Sequence, residues 1–239
     1  MTDLAAPDRW WERVAGADPS EGSERAACAT TSLTALPADA ARLFRRLIRH
    51  DPESAGHALR VCRYSCLLGS SLDLSGRQRR RLCLAAWLHD VGKIYVPRII
   101  LQKSTPLSAD EYLRVQEHPV LGEHLIAGLI HDPEVRSAVR SHHERWNGAG
   151  YPDGLSGTRI PLLARILAVA DCFDAMTSPR PYRAALARAE VRDALRAAAG
   201  TQLDPAFVRV FRAALHSRTS ATLFGREPIA SLDSNFPSI

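Results

Sequence analysis

Imidazole and carboxylate side chains lie together at a few places in this sequence. His57 follows Glu53 by four residues, so in a helix both side chains project from one face, about one turn apart. His89 and Asp90 end an apolar stretch at residues 82–88. Two ionisable side chains in such a position are costly to bury unless they pair with other groups or bind a metal. Metal binding is the simplest explanation.

Further candidate ligands follow along the chain. His118 stands alone, His142 and His143 are adjacent at the end of an amphipathic segment, and Asp171 interrupts the apolar run at residues 166–170. Positions 57, 89, 118, 142 and 171 are separated by 24 to 32 residues, which is about one helix and one loop. Each helix of a bundle would then donate ligands to one interior point.

The adjacent pairs predict more than one metal. Neighbouring residues on a helix point about 100° apart, so His89 and Asp90 can serve two metals, or one metal and a bridge. The candidate ligands include no thiolate, and such a set suits iron or manganese at least as well as zinc. Two metals about 3.5 to 4 Å apart can generate a hydroxide and stabilise both oxygens of a phosphodiester displacement. The remaining histidines lack such neighbours and are interpreted as structural: His50, His124, His131 and His216.

The elements that must position these residues are helices. Helical periodicity begins at Asp39, and Asp-Pro pairs at 51, 132 and 204 each predict an N-cap followed by Pro at the first helical position. Capping boxes begin at Ser75 and Ser108. Loops are predicted at 95–106 and 145–160. The predicted helices span 39–50, 52–70, 76–90, 109–117, 119–130, 133–144, 161–176, 182–199 and 205–216, with no competing strand pattern.

These elements predict an all-α protein with a single helical bundle at 38–216 and a metal cluster in its interior. The composition of residues 1–37 predicts a poorly ordered, flexible leader, and that of residues 217–239 predicts a loosely ordered tail. The N-terminal residues lack a signal-peptide pattern, and no apolar stretch approaches the roughly 20 residues of a membrane-spanning helix. Five cysteines, an odd number without a C-x-x-C pair, favour a reducing compartment. We therefore expect a cytoplasmic protein that does not bind a membrane.

The composition excludes several classes of protein. In 239 residues, 46% are hydrophobic and 24% charged, which is ordinary for a globular chain and excludes overall disorder, a collagen-like repeat and a disulfide scaffold. The net charge of +5 permits anionic ligands such as phosphates. Every basic residue except Lys93 and Lys103 is arginine, a bias of composition rather than of function. Without a helix-turn-helix or interleaved aromatic and basic residues, we expect no nucleic-acid binding.

Two continuous motifs are similar to those of a known family. Residues 89–93, HDVGK, match the pattern H-D-x-G-K, and residues 142–152, HHERWNGAGYP, match H-H-E-x-x-[DN]-G-x-G-Y-P. Both patterns belong to the HD-GYP family of cyclic di-GMP phosphodiesterases, within the HD phosphohydrolase superfamily. The resemblance extends from about Asp51 to Ala214. Asn147 stands where the family more often has Asp.

The resemblance implies an HD-domain bundle with two or three divalent metals, usually iron or manganese. It implies hydrolysis of cyclic di-GMP to the linear dinucleotide pGpG and, in some members, on to GMP. Glu53 matches the extra ligand of members with three metals, and Asp90 matches the bridging carboxylate. The positions that match the metal ligands are His57, His89, Asp90, His118, His142, His143 and Asp171.

The resemblance also implies residues that contact the substrate. Lys93 matches the lysine that touches the scissile phosphate, where an ammonium can offset developing charge, so Lys93 and Asp90 are the catalytic candidates. Arg180 and Arg183 match positions that hold the phosphates or guanine of the ligand, and a guanidinium suits that role. Tyr151 borders the ligand, although a loop-anchoring aromatic is an equal interpretation. The Gly-Tyr-Pro loop also predicts a contact with a diguanylate cyclase (GGDEF) partner.

Other functions stay open at this point. The first is an HD-type phosphohydrolase of a different nucleotide, such as a hybrid cyclic dinucleotide or a deoxynucleotide. The second is a receptor or interaction module that binds cyclic di-GMP, or a diguanylate cyclase, without turnover. The sequence leaves the oligomeric state undefined.

Overall fold

The computed structural model describes residues 36–178 and 185–216. These two ranges form helices, with 3₁₀ helices at Val91–Tyr95 and Gly157–Arg159, and their β-structure consists of two isolated bridges. The prediction of an all-α fold is confirmed in this part of the chain. The α-helices are α1 (Ala38–His50), α2 (Glu53–Ser71), α3 (Gly76–Leu88), α4 (Arg98–Leu101), α5 (Ala109–Gln116), α6 (His118–Ala127), α7 (Pro133–Ser141), α8 (Leu162–Thr177), α9 (Arg188–Ala198) and α10 (Pro205–His216).

Three helices end two or more residues earlier than their periodicity predicts. α3 ends at Leu88 rather than at residue 90, α6 at Ala127 rather than at residue 130, and α7 at Ser141 rather than at residue 144. His89 and His142 therefore occupy the C-cap positions of α3 and α7. The helix predicted from residue 182 begins at Arg188, after the non-helical residues 185–187. The predicted loop at 95–106 is also partly wrong, because it contains α4.

The capping signals are confirmed at four helix starts and wrong at one. The side chains that cap their helices are those of Ser75, Ser108, Asp132 and Asp204. At the fifth start, α2 begins at Glu53 without a side-chain cap. The Asp51 carboxylate instead accepts a hydrogen bond from Ser54 Oγ at 2.7 Å.

One hydrophobic core extends from α1 to α10. α2 lies against α3, α8 and α10, and α7 packs on α3 and α8. Phe173 of α8 makes edge-to-face contacts with Tyr64 of α2 and Phe211 of α10, with ring centroids 4.8 and 5.2 Å apart. Because Phe173 lies between residues 171 and 174, this packing fixes the rotation of α8 at both polar positions.

The predicted leader and tail lie outside the described residues, apart from residues 36 and 37. The domain limits at 38 and 216 therefore stay predictions. None of the helices in the described ranges combines the length and the apolar character needed to cross a bilayer.

Gly92 lies where the first 3₁₀ helix crosses α6. A Cβ atom at this position would lie 2.0 Å from the carbonyl oxygen of His118 and 2.6 Å from the amide nitrogen of Gly122. Both are backbone atoms, so no side-chain rotation can relieve the overlap. Glycine is required for this close approach, which sets Asp90 beside His118.

We expect Gly92→Ala to lower the free energy of unfolding by about 3 kcal/mol, because the added methyl group would displace backbone. In a chain of this size that is a fall in Tm of roughly 6 to 12 °C, which thermal unfolding followed by circular dichroism would measure. Gly128→Ala is the matched control, since nothing lies within 4 Å of a Cβ added there. Equal Tm values for the two variants would contradict the close approach.

Candidate metal centre

The structure brings seven of the predicted ligands together in two groups. Within each group, one potential ligand atom from every residue lies within 4.8 Å of the others. The helix ends described above place most of these side chains in the interior. The first group consists of Asp90, His118, His142 and His143, and the second consists of His57, His89 and Asp171.

Asp90 contacts both groups. Its Oδ1 atom lies 3.3 Å from His118 Nε2 in the first group. Its Oδ2 atom lies 3.4 Å from His89 Nε2 and 3.5 Å from His57 Nε2 in the second. One buried carboxylate therefore presents one oxygen to each group, as a carboxylate that bridges two metals would.

Three of the histidines share one hydrogen-bonding arrangement. The Nδ1 atoms of His89, His118 and His142 contact the carbonyl oxygens three residues earlier in the chain, at 2.8, 2.6 and 2.7 Å. His89 and His142 directly follow the ends of α3 and α7, and His118 lies two residues after the end of α5. The last carbonyls of a helix have no partner within it. Because a carbonyl only accepts, each Nδ1 carries the proton, and in the neutral ring Nε2 keeps a lone pair.

These lone pairs face one another. His57 Nε2 lies 3.2 Å from His89 Nε2, and His118 Nε2 lies 3.3 Å from His142 Nε2. In all four rings Nδ1 is engaged elsewhere, so neutral rings have no proton to place between the Nε2 atoms. Between neutral rings such contacts are repulsive unless a cation lies between the lone pairs, and the residues therefore fit a metal centre.

The protonation states also suit metal binding. Burial lowers the pKa of His89, and lowers the pKa of His142 and His143 well below the ordinary value, which keeps these rings neutral. Burial opposes ionisation of Asp90, yet Lys93, His89 and His118 together hold its pKa well below the usual range. Neutral imidazoles and an ionised carboxylate are the forms that coordinate metals.

His57 obtains its Nδ1 partner from another helix. Its Nδ1–H donates to Asp174 Oδ2 at 2.8 Å, and Arg60 Nε donates to Asp174 Oδ1 at 2.6 Å. Burial pulls the pKa of His57 down, but the bond to Asp174 and the nearby carboxylates of Asp171 and Asp90 raise it above the ordinary value. Asp174 and Arg60 were not candidates from the sequence. The signal that could have found Asp174 is a second acid in the apolar α8, one turn after Asp171.

The other predicted site residues lie as follows. Lys93 Nζ donates to Asp90 Oδ2 at 2.6 Å, and the ring of Tyr151 lies 5.0 Å from that of His143. Glu53 is exposed and belongs to neither ligand group, so its predicted role as a ligand stays a prediction. Arg180 and Arg183 lie outside the described residues.

The Gly-Tyr-Pro loop is held by the glutamate of its own motif. Glu144 is buried, and its two carboxylate oxygens accept from the amides of Asp153 and Leu155 at 2.7 and 3.0 Å. A Cβ atom at Gly150 would lie 2.3 Å from the amide nitrogen of Arg145, so glycine lets the loop fold back on Glu144. This anchoring role was missed in the sequence, where Glu144 stood only as part of the motif.

A cavity of about 490 Å³ opens beside the first ligand group. Metal-ligand candidates form one wall, and the Gly-Tyr-Pro loop and α5 form the others. Among the described residues, the guanidinium of Arg145 has no hydrogen-bond partner, so it is available to an anionic or carbonyl group in the cavity. The polar and aromatic lining includes Tyr112, Gln116, His142, His143, Arg145, Asn147, Tyr151, Asp171 and Gln202.

The chain belongs to the HD domain family, whose profile matches residues 42–207. The family predicted from the two motifs is thereby confirmed. The chain is 40% identical over 167 residues to the cyclic di-GMP phosphodiesterase response regulator RpfG of Xanthomonas campestris, and this match covers 69% of the chain and 44% of that protein. It is 36% identical over 165 residues to the 3'3'-cGAMP-specific phosphodiesterase 3 of Vibrio cholerae, covering 69% of the chain and 36% of that protein.

The chain spans less than half the length of these two curated relatives. Among solved structures, it resembles a cyclic GMP-AMP specific phosphodiesterase of Vibrio cholerae with a TM-score of 0.56 and 22% identity, over 76% of this chain and 49% of that chain. This likeness supports the fold.

We expect Glu144→Gln to loosen the Gly-Tyr-Pro loop. The side-chain NH₂ of the glutamine cannot accept a hydrogen bond, so the backbone N–H of either Asp153 or Leu155 would lose its acceptor. The cost is about 1 to 3 kcal/mol in stability, which thermal unfolding measures. Asp110→Asn, an exposed carboxylate change at the start of α5, is the control. A Glu144→Gln variant as stable as Asp110→Asn would show that the loop does not need this anchor.

Proposed function

We propose that this chain is a metal-dependent phosphodiesterase of cyclic dinucleotides, with cyclic di-GMP as substrate and the linear dinucleotide pGpG as product. The observation that carries the proposal is the pair of ligand groups that share Asp90 and border a cavity. The relatives named as cyclic di-GMP phosphodiesterases support the substrate. In a cell, such an activity would lower the concentration of cyclic di-GMP.

The ligand groups support two divalent metals, and their imidazole and carboxylate donors suit iron or manganese. The first metal would be held by His118, His142 and His143, the second by His57, His89 and Asp171, with Asp90 between them. Divalent metals in such a pair supply an activated water and stabilise charge on phosphoryl oxygens. A third metal bound through Glu53 remains a prediction from the family resemblance alone.

Lys93 would place a positive charge beside the scissile phosphate. Although burial opposes its ionisation, the Asp90 carboxylate raises the pKa of Lys93, so the ammonium stays protonated. Its bond to Asp90 fixes it at the edge of the ligand groups. In this position it can offset the negative charge that develops on the phosphoryl oxygens as the 3′ oxygen leaves.

The cavity residues would orient the rest of the substrate. Tyr151 presents its ring beside His143, where a base or a sugar can pack. Arg145 presents several N–H donors in one plane, a geometry that matches a phosphate or the O6 and N7 acceptors of guanine. Contacts from Arg180 and Arg183, cytoplasmic location and a diguanylate cyclase partner stay predictions.

A second substrate is favoured by a specific observation. One curated relative is named as a 3'3'-cGAMP-specific phosphodiesterase, and it is 36% identical to this chain. Both cyclic dinucleotides carry the same phosphodiester ring and at least one guanine, so the features described here accommodate either. Substrate choice must therefore be measured.

The test is to incubate anaerobically purified protein, with its metal content determined by elemental analysis, with cyclic di-GMP, 3'3'-cGAMP and cyclic di-AMP in parallel. We expect about two iron or manganese ions per chain. We also expect conversion of cyclic di-GMP to pGpG, which chromatography of the reaction mixture would detect. Faster turnover of 3'3'-cGAMP would reassign the substrate. Metal-replete protein that binds cyclic di-GMP without hydrolysing it would support a receptor and overturn the proposal.

The chain offers a matched pair of lysine variants, since Lys93 and Lys103 are its two lysines. We expect Lys93→Ala to lower kcat about 100-fold with a smaller change in KM, because its charge acts on the transition state. Lys103 lies in an ion pair with Glu111, and Lys103→Ala should leave kcat unchanged. Steady-state kinetics with manganese-loaded protein measure both. If Lys93→Ala turned over like Lys103→Ala, the role of Lys93 would be wrong.

A further inference from the structure

His57 is held differently from the other hydrogen-bonded histidines of the centre. The Nδ1 atoms of His89, His118 and His142 contact carbonyls three residues earlier. The Nδ1–H of His57 donates to the carboxylate of Asp174, which lies 117 residues away in the sequence. One of the two ligand groups therefore depends on a side chain that neither motif contains.

The position of His57 within its helix explains the difference. His57 lies in the second turn of α2, where the carbonyls of the preceding residues already accept from backbone amides of the helix. The other three histidines follow helix ends, where carbonyls are available. An acceptor for His57 must therefore come from another element, and α8 provides it.

Asp174 is itself held rigidly. Its side chain is 1% exposed, and Arg60 Nε and Nη2 donate to its two oxygens at 2.6 and 3.1 Å. Ser178 Oγ donates to Oδ1 at 3.2 Å. The result is a buried carboxylate with a fixed orientation.

We propose that Asp174, oriented by Arg60, is a positioning residue that sets the metal affinity of the group formed by His57, His89 and Asp171. The inference rests on the metal centre of the proposed function. A carboxylate that accepts the Nδ1–H of an imidazole fixes the ring and makes Nε2 a stronger ligand. His57 Nε2 lies 3.2 Å from His89 Nε2 and 3.4 Å from Asp171 Oδ1, so it points toward both other residues of its group. In the group of Asp90, His118, His142 and His143, the rings of His118 and His142 donate to backbone carbonyls, so this group does not depend on Asp174.

The experiment is equilibrium dialysis of metal-free protein against graded free Mn²⁺, with bound manganese measured by elemental analysis. We expect two binding steps in the wild-type protein. In Asp174→Asn, the step that belongs to the His57 group weakens about 10- to 100-fold, while the other step is unchanged. Asp174→Ala, which removes the acceptor altogether, should weaken the same step further.

Asp204→Asn is the matched control. Asp204 is equally buried and accepts from Arg165 Nη1 at 2.8 Å, but it contacts no candidate ligand. We expect this variant to lose stability and to keep both binding steps. If Asp174→Ala fails to fold, the isosteric Asp174→Asn variant decides.

The outcomes separate this inference from the proposed function. A wild-type protein without two Mn²⁺ steps would refute the metal centre and the inference together. Two wild-type steps that Asp174→Asn leaves unchanged, or weakens equally, would overturn only the role of Asp174. Nitrogen NMR of labelled histidine in metal-free protein gives an independent check, since the His57 Nδ1–H resonance must shift in Asp174→Asn and not in Asp204→Asn.

Discussion

The structure depends on a single buried carboxylate that faces two sets of imidazoles. Asp90 presents one oxygen to His118 and the other to His57 and His89. An anion at 3% exposure is unfavourable unless positive charge or hydrogen bonds compensate it. Lys93 supplies part of that compensation, and metals between the ligand groups would supply the rest. Gly92 makes the arrangement possible because it lets the backbone beside Asp90 approach α6.

The helix ends are the means by which a small bundle builds this centre. A helix that stops inside the protein leaves carbonyls without partners, and these must be satisfied. Here the imidazoles of His89, His118 and His142 satisfy them, and the same bonds fix which nitrogen of each ring faces the centre. The termination of a helix and the preparation of a ligand are thus one interaction. The exception is His57, which needs a carboxylate from α8.

Helical periodicity and capping signals predicted the helical class, and the two continuous motifs predicted the family. Polar side chains at positions where the pattern favours core predicted the seven residues that converge. It did not predict that α3 and α7 stop before His89 and His142, since periodicity alone cannot distinguish a buried helix end from one more turn. The roles of Asp174 and Arg60 were not predicted, because they arise from contacts between residues far apart in the chain. The anchoring role of Glu144 was not predicted, because its partners are backbone amides of a folded loop, which no residue pattern reveals. Glu53 was predicted as a ligand from the resemblance, and the structure leaves it exposed and apart from both groups.

The order of the ligands along the chain has a consequence for synthesis. The second group needs His57 from an early helix and Asp171 from a late one, and its supporting bond closes a loop of 117 residues. During translation, the helices from α1 to α7 emerge before α8, so His57 and His89 are made before Asp171 and Asp174. A chain that stops before α8 retains the first ligand group in sequence and lacks the second. The second ligand group is therefore completed only when α8 has been made, late in the production of this protein.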